Sequence, residues 1–157
     1  MTRRFGKFCV VVVLVLPALI QLSRVAGVEA AQAAQKLTFD GDLALWTVAI
    51  KPDKVADFEK VVARLRDGLL KSEKPGRRQQ AAGWKVMKIE KPLPDGNIAY
   101  IHVISPVVAG ADYTVMQALY EEFPEERQAL YDLYRGAFAQ NLSIAAGKVV
   151  VDLAKQP

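Results

Sequence analysis

Cysteine is almost missing from this chain. Its 157 residues contain one, Cys9, and that one lies in an apolar run near the start. A lone thiol excludes an intrachain disulfide framework. If the run is removed, thiol catalysis and thiolate metal sites go with it. Histidine is equally scarce, with His102 the only one. There is no Gly-rich phosphate loop, no nucleophile elbow, no HExxH and no paired metal-ligand spacing. An apolar run long enough to span a bilayer is also lacking: Phe8 to Ile20 gives 13 residues, interrupted by Pro17, where a span takes about 20. Strong charge of one sign is absent from the body of the chain. Of the 21 basic residues, Arg3, Arg4, Lys7 and Arg24 come before residue 34, as does Glu29 among the 17 acidic ones, so 17 basic face 16 acidic residues in the remainder. That balance argues against a nucleic-acid binder.

The short run has the make-up of an export signal. Three basic residues precede it, and small residues follow at cleavage-like spacing, Val28-Glu29-Ala30 and Ala31-Gln32-Ala33. Residues 1–33 are therefore expected to be a signal peptide cut after Ala30 or Ala33, and the mature protein to be periplasmic or extracellular, with no membrane attachment. An uncleaved N-terminal anchor is the alternative. Arg3-Arg4 raises the twin-arginine route, but Gly6 stands where that motif wants an aromatic or aliphatic residue. Cys9 lacks the small following residue of a lipoprotein site.

Residues 34–42 form a polar lead-in, and residues 43–154 the expected domain. LALWTVAI (Leu43 to Ile50) reads as a strand. Pro52 and Asp53 then open a helix, with Val55, Phe58, Val62, Leu65 and Leu69 on one stripe. Lys74-Pro75-Gly76 ends the pattern, and Lys71, Lys74, Arg77 and Arg78 read as a basic loop, solvated or able to hold an anion. WKVMKIE and IAYIHVIS make a hairpin across KPLPDG. Asp112 is a candidate N-cap for a second helical region. Pro124 restarts that helix, with Leu130, Leu133, Tyr134, Ala137 and Phe138 as its stripe. KVVVDL (Lys148 to Leu153) is the expected last strand. The order predicts an α+β fold of ferredoxin-like βαββαβ type, a four-stranded antiparallel sheet with helices on one face.

Alternation divides each strand between two faces. Ala99, Ile101 and Val103, with Met87 and Ile89, are expected to meet the helices, because small aliphatic residues pack closely. The opposite face would then carry Trp46, Val48, Ile50, Trp84, Tyr100, His102 and Ile104. So apolar a face needs a cover, and a homodimer joined through it is expected. These residues are also the candidate ligand-binding or interface set, with Trp46, Val48, Trp84, Tyr100, His102 and Ile104 foremost. His102 is the single catalytic candidate, a general base or haem ligand. The competing reading is an imidazole hydrogen-bonded in an interface, favoured because no orienting acid accompanies it. Glu121, Glu122, Glu125 and Glu126 need no metal, since acids suit the first turn of a helix. Asn141-Leu142-Ser143 matches a glycosylation acceptor.

The strand and helix order, the helix opening KPDKVADFEKVV after a strand, and an apolar open sheet resemble the dimeric α+β barrel superfamily. The stretch WKVMKIEKPLPDGNIAYIHVISPVVAGADYTVMQALYEEFPEE also resembles small exported bacterial proteins of unknown function. The first resemblance implies two ferredoxin-like domains packed sheet to sheet, often around a cavity. Superfamily members range from monooxygenases and haem-degrading enzymes to domains without known activity, so the fold does not select the function. Two expectations result. One is a non-catalytic exported domain, binding or accessory, without cofactor or metal and with a small-molecule ligand possible. The other is a small-substrate or haem-handling enzyme of monooxygenase type, with its cavity at the dimer sheet face.

Mass spectrometry of the protein secreted by its producing cell tests the export reading. The expected N-terminus is Ala31 or Ala34, and a membrane-bound form starting at Met1 would overturn it.

Overall fold

Aliphatic density and Trp46 make Leu43–Ile50 a strand (β1), and Lys51-Pro52 ends it by turning the chain into a single 3-10 turn, Pro52–Lys54. These elements belong to a computed structural model that describes residues 36–154, all within one compact unit, Ala34–Pro157. The expected signal peptide and its cleavage sites lie outside the described residues. Helix α1 (Val55–Lys71) follows, then α2 (Arg77–Gly83), β2 (Trp84–Lys88), β3 (Ile98–Ile104), α3 (Val115–Glu122), α4 (Arg127–Ala137) and β4 (Phe138–Gly147). The fold is α+β. One four-stranded antiparallel sheet has the order β2-β3-β1-β4, with β1 and β3 central.

The central register pairs Trp46 with His102, Val48 with Tyr100 and Ala44 with Ile104. These side chains share one face, and it is the face the helices cover. Phe58, Val61, Leu65 and Leu69 of α1, Ala118 and Leu119 of α3, and Leu130 of α4 bury themselves in one cluster with Trp46, Val48, Ile50, Tyr100 and Ile104. The expected assignment of faces is therefore inverted. The small set, Ala99, Ile101 and Val103, looks away from the helices together with Leu45 and Met87. The physical reason is area. Burial stabilises by about 25 cal/mol per Å² of apolar surface, so the wider rings gain more inside than the small aliphatic residues do. The Trp46 and Tyr100 rings also find partners for their polar tips at the edge of the core.

Two elements depart from expectation. The basic segment after Gly76 is not a loop throughout, because Arg77–Gly83 forms a short helix with Arg77 and Gln80 buried. The last strand is not KVVVDL. It is Phe138–Gly147, entered directly from α4, and it pairs with β1 from Ile50–Phe138 to Leu43–Gly147 with register shifts between Thr47 and Val48 and between Ala49 and Ile50. The expected strand lies beyond this pairing, with Val150 94% and Leu153 95% exposed. Asp112 does not cap α3 directly. Its carboxylate accepts from Thr114 N (2.9 Å) and Leu37 N (3.2 Å), fastening the lead-in to the start of that helix. Among the described residues no helix is long and apolar enough to cross a membrane.

Gly41 sets where β1 begins. Its φ is 110°, and a Cβ there would stand 2.3 Å from the Gly147 carbonyl oxygen, which accepts from Asp42 N (2.8 Å). Gly41→Ala meets both the positive φ and the clash, and is expected to lower stability by more than about 1 kcal/mol. Urea unfolding measures this, and a midpoint equal to that of the wild type would contradict the account.

Candidate functional site

His102 stands at the centre of the sheet, fully buried. Trp46, directly opposite on β1, lies stacked on its imidazole at a centroid distance of 4.4 Å and 22° between planes. Trp84, on β2, donates its indole N–H to His102 Nδ1 (3.0 Å). With Nδ1 accepting, the neutral ring carries its proton on Nε2. That atom is buried and has no hydrogen-bond partner among the described residues, and Phe58 from α1 stands edge-on to the ring at 6.3 Å and 85°. Burial pushes the imidazole pKa down to about 4.

The candidate residues Trp46, Val48, Trp84, Tyr100, His102 and Ile104 are thus brought together, but beneath the helices rather than on the open face. A cavity at the outer sheet face is not lined by them. His102 has no accessible side on which to accept a substrate proton or a haem iron: one nitrogen is occupied by Trp84, and the rings of Trp46 and Phe58 pack against it. No carboxylate orients it.

Around this centre the polar tips of the other rings are anchored. Tyr100 donates its hydroxyl to Glu59 Oε1 (2.5 Å), and Lys88 donates to the same oxygen (3.1 Å). The two bonds hold the Glu59 carboxyl below its usual range, while burial and then the carboxylate raise the Tyr100 phenol. Trp46 donates its indole N–H to Asn141 Oδ1 on β4 (2.8 Å). The residue of the glycosylation motif therefore serves the core edge.

Of the cavities that open between the helices and the sheet, three are larger than 300 Å³ among the described residues. One, of about 320 Å³, lies between α1, α2 and β2, with Leu65, Ala81, Trp84 and Val86 in its wall. A second, of about 370 Å³, lies among α3, α4 and β4, with Trp46, Met116, Tyr134, Phe138 and Asn141 in its wall. The third, of about 360 Å³, is polar and bounded by Lys36, Lys74, Arg77, Gln80 and Glu121. Sequence reasoning missed the part played by Arg77, Gln80, Arg135 and Asn141. The tyrosine and Phe138 spacing on α4 was visible, but it reads equally well as plain core packing.

The basic cluster resolves into a clasp. Buried Arg77 pairs with Glu121 (2.6 Å), donates to Gln80 Oε1 (2.9 Å) and donates to the Asp112 carbonyl (3.0 Å). Lys74 reaches the same Glu121 oxygen (2.8 Å), and Gln117 donates to the other (3.0 Å). Burial alone would raise the Glu121 carboxyl, but the bonds from Lys74, Gln117 and Arg77 outweigh it and bring the pKa down to about 2. Of the other acids, Glu122 accepts from Ser72 (2.5 Å) and Glu126 pairs with Arg64. Among the described residues no group of three or more His, Cys, Asp or Glu is placed to hold a metal ion.

Comparison with protein-family models, with curated proteins and with solved structures finds no match for this chain.

The buried imidazole links stability to pH. The unfolded chain takes up the His102 proton near pH 6.5 and the folded chain only near 4. The stabilisation is complete above pH 6.5 and is lost as pH falls through that window, about 3 kcal/mol in all. His102→Gln should flatten the fall between pH 6.5 and 4.5, where carboxylates contribute little. Urea titrations at several pH values measure it, and equal slopes in the two proteins would contradict the assignment.

Proposed function

We propose that this protein is a non-catalytic exported domain, binding or accessory in role, that pairs with a second copy through the sheet face turned away from its helices. The reading includes a ferredoxin-like fold of the dimeric α+β barrel kind. The sheet order β2-β3-β1-β4, read from the other edge as β4-β1-β3-β2, supports it. The observation that carries the non-catalytic part is the state of His102. A general base works best with a pKa near the operating pH and within reach of its substrate, whereas this imidazole is enclosed by rings and held neutral by burial.

The outer face supports the pairing. Leu45 and Met87 are exposed there, with Ile101 and Val103 half-buried between them. Leu142, at an irregularity of β4, and Val149, Val150 and Val151 after it are also exposed aliphatic residues, whereas Ile144, opposite Trp46, shares the helix-covered face. Exposed apolar residues on the two central strands and β2 are covered most simply by a twofold copy of the same face.

Leu45 and Val103 are direct cross-strand partners on the two central strands of that face. The wild-type protein is expected to be a dimer by light scattering. Leu45→Lys combined with Val103→Lys should give a monomer with unchanged far-ultraviolet circular dichroism. A wild-type monomer at micromolar concentration, or a double variant that stays dimeric, would overturn the pairing.

A further inference from the structure

The cavity among α3, α4 and β4 differs from the other two in the state of its polar groups. In the cavity beside β2, Glu59 is already engaged by Tyr100 and Lys88. In the charged cavity, Lys74, Arg77, Gln80 and Glu121 satisfy one another, and only Lys36 is without a partner among the described residues. Here the Tyr131 and Tyr134 hydroxyls, the Asn141 amide nitrogen and the Arg135 guanidinium have no partner among the described residues, with Tyr131, Arg135 and Asn141 exposed. Asn141 is fixed all the same, because its oxygen accepts from Trp46 and its Nδ2 donors remain available. Tyr134 is positioned by its ring contacts with Phe58 (6.3 Å) and Phe138 (5.8 Å). Burial raises its phenol to about 12, so it is a hydroxyl donor at any ordinary pH.

The rest of the wall is mainly apolar, formed by Leu37, Trp46, Val115, Met116 and Phe138 with Thr114 beside them, and Arg135 is the only charged residue in it. An apolar concavity of about 370 Å³ with a few converging polar groups has the make-up of a small-molecule site. With donors and a cation but no carboxylate in the lining, it favours an anion with acceptor oxygens. We propose that this cavity binds a small carboxylic acid with an aromatic or aliphatic body. The carboxylate meets Arg135, Tyr134 and Asn141, and the body lies against Trp46, Met116 and Phe138. The inference rests on the binding reading above and gives it a ligand class and a place.

Cinnamate and its neutral counterpart cinnamyl alcohol test this in amide NMR titrations of the purified protein. Cinnamate should bind saturably, with shifts concentrated in the segments around Met116 and from Tyr134 to Asn141, and tighter than the alcohol. Arg135→Gln should weaken cinnamate by about tenfold, as the loss of a charged hydrogen bond does, and leave the alcohol unchanged. Tyr134→Phe should weaken cinnamate while keeping the fold. Met116→Trp should block both compounds by filling the space. If that variant fails to fold, the Arg135 and Tyr134 variants still decide the matter. No saturable binding at millimolar cinnamate, shifts confined to Ala81, Trp84 and Val86, or equal losses for acid and alcohol in Arg135→Gln would overturn the proposal. Light scattering on the same samples separates the two levels: an intact dimer without cinnamate binding removes the cavity's role and leaves the pairing standing.

Discussion

Everything in this fold is arranged around the burial of one polar ring. His102 occupies the middle of the sheet, and a histidine there is tolerable only if it stays neutral. The Trp84 indole supplies a donor to one nitrogen, and Trp46 and Phe58 close over the ring. That set decides which face the helices cover. Once Trp46, Tyr100 and His102 lie inside, alternation sends Leu45, Ile101 and Val103 out. The same layer sends indole and phenol tips to its margins, where Asn141 and Glu59 receive them.

The margins divide the molecule into regions of different chemistry. Beside β2 the polar groups are consumed in structure: Glu59 holds Tyr100 and Lys88, and below α2 the Arg77–Glu121 pair holds α2 to α3. Arg77 is buried with its donors matched to a carboxylate, an amide and a carbonyl. Removing one partner from such a network costs more than the intact network contributes. Beside β4 the corresponding groups are left available. The proposed site rests on that difference rather than on cavity size.

Much of this order was legible in the residues. The bounds of β1, the course of α1, the β2–β3 hairpin and the restart of the helix at Pro124 follow from periodicity and turn chemistry. Alternation also grouped Trp46, Val48, Tyr100 and His102 correctly. It did not tell which group is covered, because both faces of β3 are apolar and period alone carries no sign. Helix α2, RRQQAAG, has no apolar stripe to announce it, and its burial depends on a glutamate 44 positions away in the chain. The true last strand, FAQNLSIAAG, is small and polar, whereas KVVVDL has the stronger strand composition. Pairing with β1 from Phe138 to Gly147 settles the matter against propensity.

The placement of His102 is the claim on which the rest depends, and its side-chain nitrogen NMR signals report it directly. At neutral pH the expected spectrum is a single neutral tautomer, with the proton on Nε2 and Nδ1 accepting from Trp84, unchanged until the pH nears about 4. An imidazole that exchanges between tautomers and takes up its proton near pH 6.5, as an exposed one does, would contradict the account and return Trp46, Tyr100 and His102 to the open face.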